Sequence, residues 1–294
     1  MKLCNPAVVA GLLESHGLRP HRSLGQHFLV DANILEKILD AGEVGPEDTV
    51  LEIGAGLGAL TQGLLERGAR VTAVELDHGL YRILATLLGS NPGLTLLQID
   101  ALDLDPVNLP GLDQGRQAKC VSNLPYAVAT PLLLSLLSEA GRWERLVFLV
   151  QKEVAARMEA RPGTKEYGYL SVAVQLRARV ETVARIPPTV FLPPPKVDSS
   201  LVRLSPLREG AFTQGEILGA LNAARVAFGQ RRKTILKVLA TDPRAGLDRG
   251  SAVRLLSSMG IDGGRRGETF SVAEFIELGR MLPRPEGEVT HRGR

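Results

Sequence analysis

Between Thr49 and Gln151 the chain alternates short apolar runs with stretches in which leucines recur three and four residues apart. The short runs read as buried strands and the leucine-spaced stretches as helices. The strands are expected at Thr49–Ile53, Arg70–Leu76, Leu94–Ile99, Lys119–Ser122 and Arg145–Gln151, with helices such as Leu57–Arg67 and His78–Leu88 between them. Strands separated by helices return parallel to one another, because a parallel return needs a crossover. The expectation is an α/β, Rossmann-like domain that binds its ligand at the C-terminal ends of the strands.

Past Lys152 the pattern changes. Val154–Ala160 is helical and stops at Arg161-Pro162-Gly163, and Leu170–Ala184 reads as a helix passing into a strand. Pro187, Pro188, Pro193, Pro194 and Pro195 then make a stiff, extended segment whose prolines have no N–H to give to a ladder. Ser199–Leu204 reads as a last strand, followed by helical segments at Gln214–Phe228, Arg232–Leu239, Arg249–Met259 and Ser271–Leu282. The division is placed near 206, with the Rossmann-like unit over 1–205 and a small helical domain over 206–294. The tail Pro283–Arg294 is polar and expected to be loose. No internal repeat or low-complexity tract is visible.

Charge divides the chain differently from hydropathy. Residues 1–141 carry 9 Lys and Arg against 16 Asp and Glu, a net −7. Residues 142–294 carry 26 against 16, a net +10, which suits a polyanion. No apolar run is long enough to span a bilayer. Glu14 and His16 stand where an export signal would be apolar. Cys4 and Cys120 lack partners at metal-ligand spacing. A reduced, cytoplasmic protein with no metal site is expected.

The segment Val50-Leu51-Glu52-Ile53-Gly54-Ala55-Gly56-Leu57-Gly58 leaves a strand and opens a helix. Its G-x-G-x-G spacing differs from the G-x-G-x-x-G of dinucleotide sites. Glu52, just before the first glycine, would repel a pyrophosphate and suit a positively charged ligand. S-adenosylmethionine has an ammonium, a sulfonium and no phosphate. Glu75 at the end of the second strand can accept from both ribose hydroxyls, and Asp100 at the end of the third can accept from the adenine amino group. A single such acid is as often a helix cap. Three at successive strand ends favour a ligand.

Asn123-Leu124-Pro125-Tyr126 follows the fourth strand. The N6 lone pair of adenine is delocalised into the ring and becomes a better nucleophile when the amino group is pyramidalised. The Asn123 side-chain oxygen and a backbone carbonyl, that of Leu124, can accept its two hydrogens. Pro125 stiffens the turn, and Tyr126 offers a face on which an extruded base can stack. Alignment then carries the catalysis, and no strong general base is needed.

These motifs resemble those of the bacterial small-subunit ribosomal RNA adenine dimethyltransferases, the KsgA/RsmA family. The likeness runs from Ser23-Leu24-Gly25-Gln26-His27-Phe28-Leu29 through Leu51–Thr61, Ala73–Asp77, Asp100-Ala101, Asn123–Tyr126, Gln151–Ala155, Pro162–Gly168, Phe191–Ser200 and Arg231–Thr234 to Met259–Asp262. It implies a Rossmann-like class I methyltransferase domain with a helical C-terminal domain. The implied reaction dimethylates N6 of two adjacent adenosines in the 3′-terminal hairpin loop of 16S rRNA, within the 30S subunit or its precursor, and belongs to ribosome biogenesis. The family's cofactor contacts fall on His27, Leu29, Gly54, Glu75, Asp100 and Asn123; His27 stands where many members have Asn.

Arg231, Arg232 and Lys233, read as opening a helix, are expected to contact RNA phosphates, the alternatives being a solvated face or arginine pairing with Asp or Glu for packing. Lys152, Arg157 and Lys165 are further candidates. Phe191 is expected as the second wall of the base pocket, with a core anchor as the alternative, and Trp143 and Phe148 as core. A monomer is expected. Competing readings are a macrolide-resistance methylase acting on large-subunit rRNA, a DNA adenine methylase, and a non-enzymatic assembly checkpoint. Pro162–Val172 and Met259–Glu268 favour the small-subunit enzyme.

Overall fold

The computed structural model describes residues 1–21, 25–106, 108–112, 116–126, 128–208 and 210–283. Ser23 and Leu24 of the first motif, and the tail beyond Pro283, lie outside the described residues. The elements of the first half are α1 (Pro6–Ser15), β1 (Phe28–Leu29), α2 (Ala32–Ala41), β2 (Thr49–Ile53), α3 (Ala59–Glu66), β3 (Arg70–Val74), α4 (His78–Leu88), β4 (Leu94–Leu97), β5 (Ala118–Asn123) and α5 (Ala129–Ser138). Then come β6 (Trp143–Gln151), α6 (Lys152–Glu159), α7 (Tyr169–Gln175), β7 (Ala178–Ile186), β8 (Phe191–Leu192) and β9 (Ser199–Pro206). The last helices are α8 (Gln214–Gly229), α9 (Ile235–Leu239), α10 (Arg249–Ser258) and α11 (Val272–Met281).

One seven-stranded sheet has the order β4-β3-β2-β5-β6-β9-β7. The pairs from β4 to β6 are parallel, while β9 runs antiparallel to both β6 and β7. The strand order reverses between β2 and β5, which is where an α/β sheet opens a ligand crevice. The β2–β5 ladder stops at Leu51 and Cys120. Beyond it the Ile53 amide donates to the Ser122 hydroxyl at 2.9 Å, so a side chain serves where a ladder carbonyl is absent. Every residue of β2 is buried, as a strand covered on both faces requires, whereas β7 alternates at the sheet edge. Trp143 and Phe148 are both buried core.

The chain forms two compact units, and they are not contiguous. One comprises Met1–Ala155 with Arg177–Leu207, the other Ala156–Leu176 with Arg208–Arg294. The sequence places the division near 206 and keeps residues 156–176 with the sheet. The chain instead groups them with the C-terminal helices, because Tyr167, Val172 and Leu176 share an apolar cluster with residues of α8 to α11. In that second unit α8 and α11 cross at Gly219 and Gly279. A Cβ on Gly279 would lie 2.2 Å from the Gly219 carbonyl carbon, so only glycine permits this approach.

In the first unit α2 and α3 pack Ile34, Ile38, Leu39, Leu60 and Leu64 against Val50, Val71, Val121 and Val147 of the sheet. A second cluster joins Val9 and Leu13 of α1 to Phe28, Leu57, Leu80 and Ile83. No described helix is long and apolar enough to cross a membrane. Two segments depart from the sequence expectation. The proline-rich stretch contributes β8, which pairs antiparallel with β1, Phe28 opposite Leu192 and Leu29 opposite Phe191. The helix expected at Arg232–Leu239 begins only at Ile235, leaving Arg231–Lys233 in the preceding turn.

Candidate active site

A cavity of about 260 Å³ lies where β2 and β5 diverge. Glycine turn, strand-end acids and target motif converge there: Gly54, Gly56, Glu52, Glu75, Asp100, Asn123 and Pro125 all line it, as do His27 and Leu29. The sequence separates these residues by up to about a hundred positions; the sheet order brings them together.

The turn between β2 and α3 is held by β3, since the Gly54 and Ala55 amides both donate to the Val74 carbonyl, at 2.8 and 3.1 Å. Gly58 caps α3 with φ +86°, and a Cβ there would stand 2.5 Å from Leu84 Cδ1, so the turn closes onto α4 only with glycine. A Cβ on Gly54 would meet Pro125 Cγ at 3.1 Å. The target motif is thus seated directly against the glycine turn.

Glu75 directly follows β3 and is 6% exposed. Its Oε2 accepts from the Gly56 amide at 2.7 Å and its Oε1 from the Asp77 amide at 2.8 Å. Each oxygen retains a lone pair, as a carboxylate offers about four acceptor sites. Burial raises the Glu75 carboxyl above its usual range, against the pull of those two amides. Asp100 lines the cavity three residues beyond β4, and its Oδ1 also caps the following turn by accepting from Leu102 N at 2.9 Å. It therefore serves as a cap and as cavity wall together.

Glu52 corrects a charge argument. It is 2% exposed, and Thr61 Oγ1 donates to its Oε2 at 2.6 Å. Burial, reinforced by the neighbouring Glu75, pushes its carboxyl up to about 8. At neutral pH the side chain carries a proton and not the negative charge expected from the sequence.

The target motif is fixed from two directions. Asn123 ends β5, and its Nδ2 donates to the His27 carbonyl at 2.9 Å. A carbonyl can only accept, so the amide orientation is settled and Oδ1 remains as an acceptor. His27 Nδ1 donates to the Pro193 carbonyl at 2.7 Å, which likewise fixes the proton on that nitrogen. Leu124 is buried, and its amide donates to Leu149 of β6 at 3.2 Å. Tyr126 lies with its ring centroid 5.4 Å from that of His27. Phe191, expected as the opposite wall, is 2% exposed, packs in the apolar core and does not line the cavity. Its strand β8 pairs with β1, and like Tyr126 it stands outside the lining of this cavity.

Arg231, Arg232 and Lys233 belong to the second unit. Arg231 donates to the carbonyls of Lys165 and Tyr167 at 3.0 and 2.8 Å and approaches Glu268 at 3.9 Å. It ties the 162–168 loop while about half of its side chain stays exposed. Arg232 and Lys233 are exposed. Lys152 pairs with Asp198 at 3.6 Å.

The sequence reading missed cavity-lining residues Val9 and Gln26. Val9 sits on α1, whose start is legible as Asn5-Pro6, a capping side chain before a proline. Gln26 falls inside the first motif of the likeness, but its place in the cavity wall has no local sign; its side chain donates to Asp77, 51 residues away.

Sheet order, glycine turn and strand-end acids define a Rossmann-like class I methyltransferase. The chain belongs to the ribosomal RNA adenine dimethylase family, whose model matches residues 17–278. It is 43% identical over 283 residues to the ribosomal RNA small subunit methyltransferase A of Pelotomaculum thermopropionicum, covering 94% of this chain and 96% of that one. The protein of the same name from Moorella thermoacetica is 42% identical over 286 residues, covering 95% and 98%. Among solved structures, a dimethyladenosine transferase from Plasmodium falciparum matches with TM-score 0.73 at 26% identity, over 86% of this chain and 96% of that one. The 23S rRNA methyltransferase ErmE matches with TM-score 0.64 at 26% identity, over 87% and 99%.

Proposed function

We propose that this protein transfers methyl groups from S-adenosylmethionine to N6 of two adjacent adenosines in the 3′-terminal hairpin loop of 16S rRNA, dimethylating each within the 30S subunit or its precursor. The observation that carries the reading is Asn123, whose amide is oriented by the His27 carbonyl so that Oδ1 is left as an acceptor beside a cavity lined by Glu75 and Asp100. The fold alone does not choose the RNA, since ErmE shares it. Identity favours the small-subunit reading: 43% to an enzyme named for that subunit, against 26% to ErmE.

S-adenosylmethionine supplies an electrophilic methyl group on a sulfonium. Glu75, with a spare lone pair on each oxygen, accepts from the ribose hydroxyls, and Asp100 from the adenine amino group. Leu29, Gly54 and His27 complete the cofactor wall. Asn123 Oδ1 and the Leu124 carbonyl accept the two N6 hydrogens, which returns the lone pair to nitrogen. Tyr126 stacks on the base. The methylated ammonium is acidic and loses its proton without a dedicated base. A monomer acts in the cytoplasm, and the modification forms a step in small-subunit biogenesis.

The test is transfer of labelled methyl groups to 30S particles lacking the modification, with mass spectrometry of the adenosines. Two neighbouring dimethyladenosines are expected in 16S rRNA. Methylation confined to 23S rRNA would overturn the reading. Glu75→Ala is expected to abolish transfer while particle binding persists. Asn123→Ala is expected to lower kcat on the order of 100-fold with cofactor affinity changed far less.

A further inference from the structure

Tyr126 is half-buried at the end of the target motif, and its hydroxyl is hydrogen-bonded to the hydroxyl of Ser199. Ser199 has no solvent exposure. It is the first residue of β9, opposite Gln151 of β6 on one side and Ile186 of β7 on the other, so its backbone is held from both edges. The Tyr126 ring also lies beside the His27 ring, tilted by 34°. His27 is itself fixed through Nδ1 to Pro193 and through its carbonyl to Asn123. A phenol at a pocket rim can point its hydroxyl to water; this one is tied instead to a buried, rigid strand.

We propose that Ser199 is a positioning residue for the methyl-transfer reaction: its hydroxyl holds the far end of the Tyr126 ring and so sets the plane on which the target adenine stacks. This rests on the stacking role given to Tyr126 above. The phenol oxygen lies on the axis about which the ring turns, so anchoring it fixes where the ring stands, and the preference of a phenol's hydrogen bonds for the ring plane biases its rotation. With the anchor removed, the ring keeps its area but loses its fixed plane, and the base is held less well in line with the methyl donor. The loss then falls on turnover and leaves the cofactor cavity intact, because neither Ser199 nor Tyr126 lines it.

The test compares Ser199→Ala, Tyr126→Phe and the double variant, each removing the same hydrogen bond, with Tyr126→Ala as the control on the stacking role. Each of the first three is expected to lower kcat on 30S particles about 5- to 10-fold. The double variant is expected to lose no more than either single one. Cofactor affinity by calorimetry and Tm are expected to be unchanged, and Ser199→Thr to restore part of the turnover. With tyrosine labelled at ¹³Cζ, the Tyr126 resonance (identified by its absence in Tyr126→Phe) is expected to shift in Ser199→Ala. If Ser199→Ala keeps full turnover while Tyr126→Ala loses it, the positioning role is overturned and the stacking role stands. Full turnover in Tyr126→Ala overturns the stacking role itself. Effects of Ser199→Ala and Tyr126→Phe that multiply, or a Ser199→Ala loss matched by falling Tm and cofactor affinity, overturn the proposal.

Discussion

Glu52 sits behind the glycine turn with a carboxyl raised by burial to about 8, so the folded protein holds its proton more tightly than the unfolded chain does. Between pH 4.5 and 8 the native state binds more protons at this site, and stability falls as pH rises through that interval. Glu52→Gln keeps an oxygen for Thr61 and removes the titration. Its Tm is expected to fall less than that of the parent between pH 5 and pH 8, with a gap of roughly 5 °C at the upper end; parallel curves would contradict the burial argument. The presence of an acid before the first glycine is readable in the sequence, but its charge state is not, because protonation depends on a desolvation that only the assembled sheet imposes. Glu75 and Asp100 are legible because strand ends announce themselves. The burial of Phe191 is not, since an aromatic among prolines gives no sign of the β1 pairing that seats it. Ser199 gives no local sign either; it meets Tyr126 across 73 positions of chain.

At the scale of elements, α1 carries a consequence for the cofactor cavity. Asn5 caps it, accepting from Ala7 and Val8, and Val9 both joins an apolar cluster and lines the cavity. Removing residues 1–15 is expected to weaken S-adenosylmethionine binding about tenfold, read by calorimetry, through loss of that apolar wall. Unchanged affinity would show that Val9 contributes no binding energy. The central strands and the helices α3 and α4 are recoverable from hydropathy because short continuous apolar runs differ from leucines spaced three and four apart. The Asp31 cap of α2 is equally plain once sought, accepting from the Asn33 and Ile34 amides. The pairing of β1 with β8 has no such signature. It is two residues long on each side, its partners lie 162 and 164 positions apart, and prolines surround one of them.

For the whole molecule, the charge asymmetry assigns different tasks to neighbouring cations. Arg231, Arg232 and Lys233 are all exposed, but Arg231 is tied to two backbone carbonyls. Replacing Arg232 and Lys233 by alanine is expected to weaken binding to 30S particles and to reduce the slope of log affinity against log salt by about 1 to 2. Arg231→Ala is expected to lower Tm and leave that slope nearly unchanged; the reverse pattern would exchange the two assignments. The compact units take turns along the chain: sheet, helices 156–176, sheet again, helices. That order has a consequence in time. As the polypeptide leaves the ribosome, β7 emerges before β9, yet β7 joins the sheet only through β9. The segment 156–176 appears earlier still and waits some forty residues of synthesis for α8, against which α7 packs. Nascent chains arrested short of Pro206 therefore carry a sheet whose β6 edge is open and a β7 without its neighbour. Such chains are the ones expected to need a chaperone's cover.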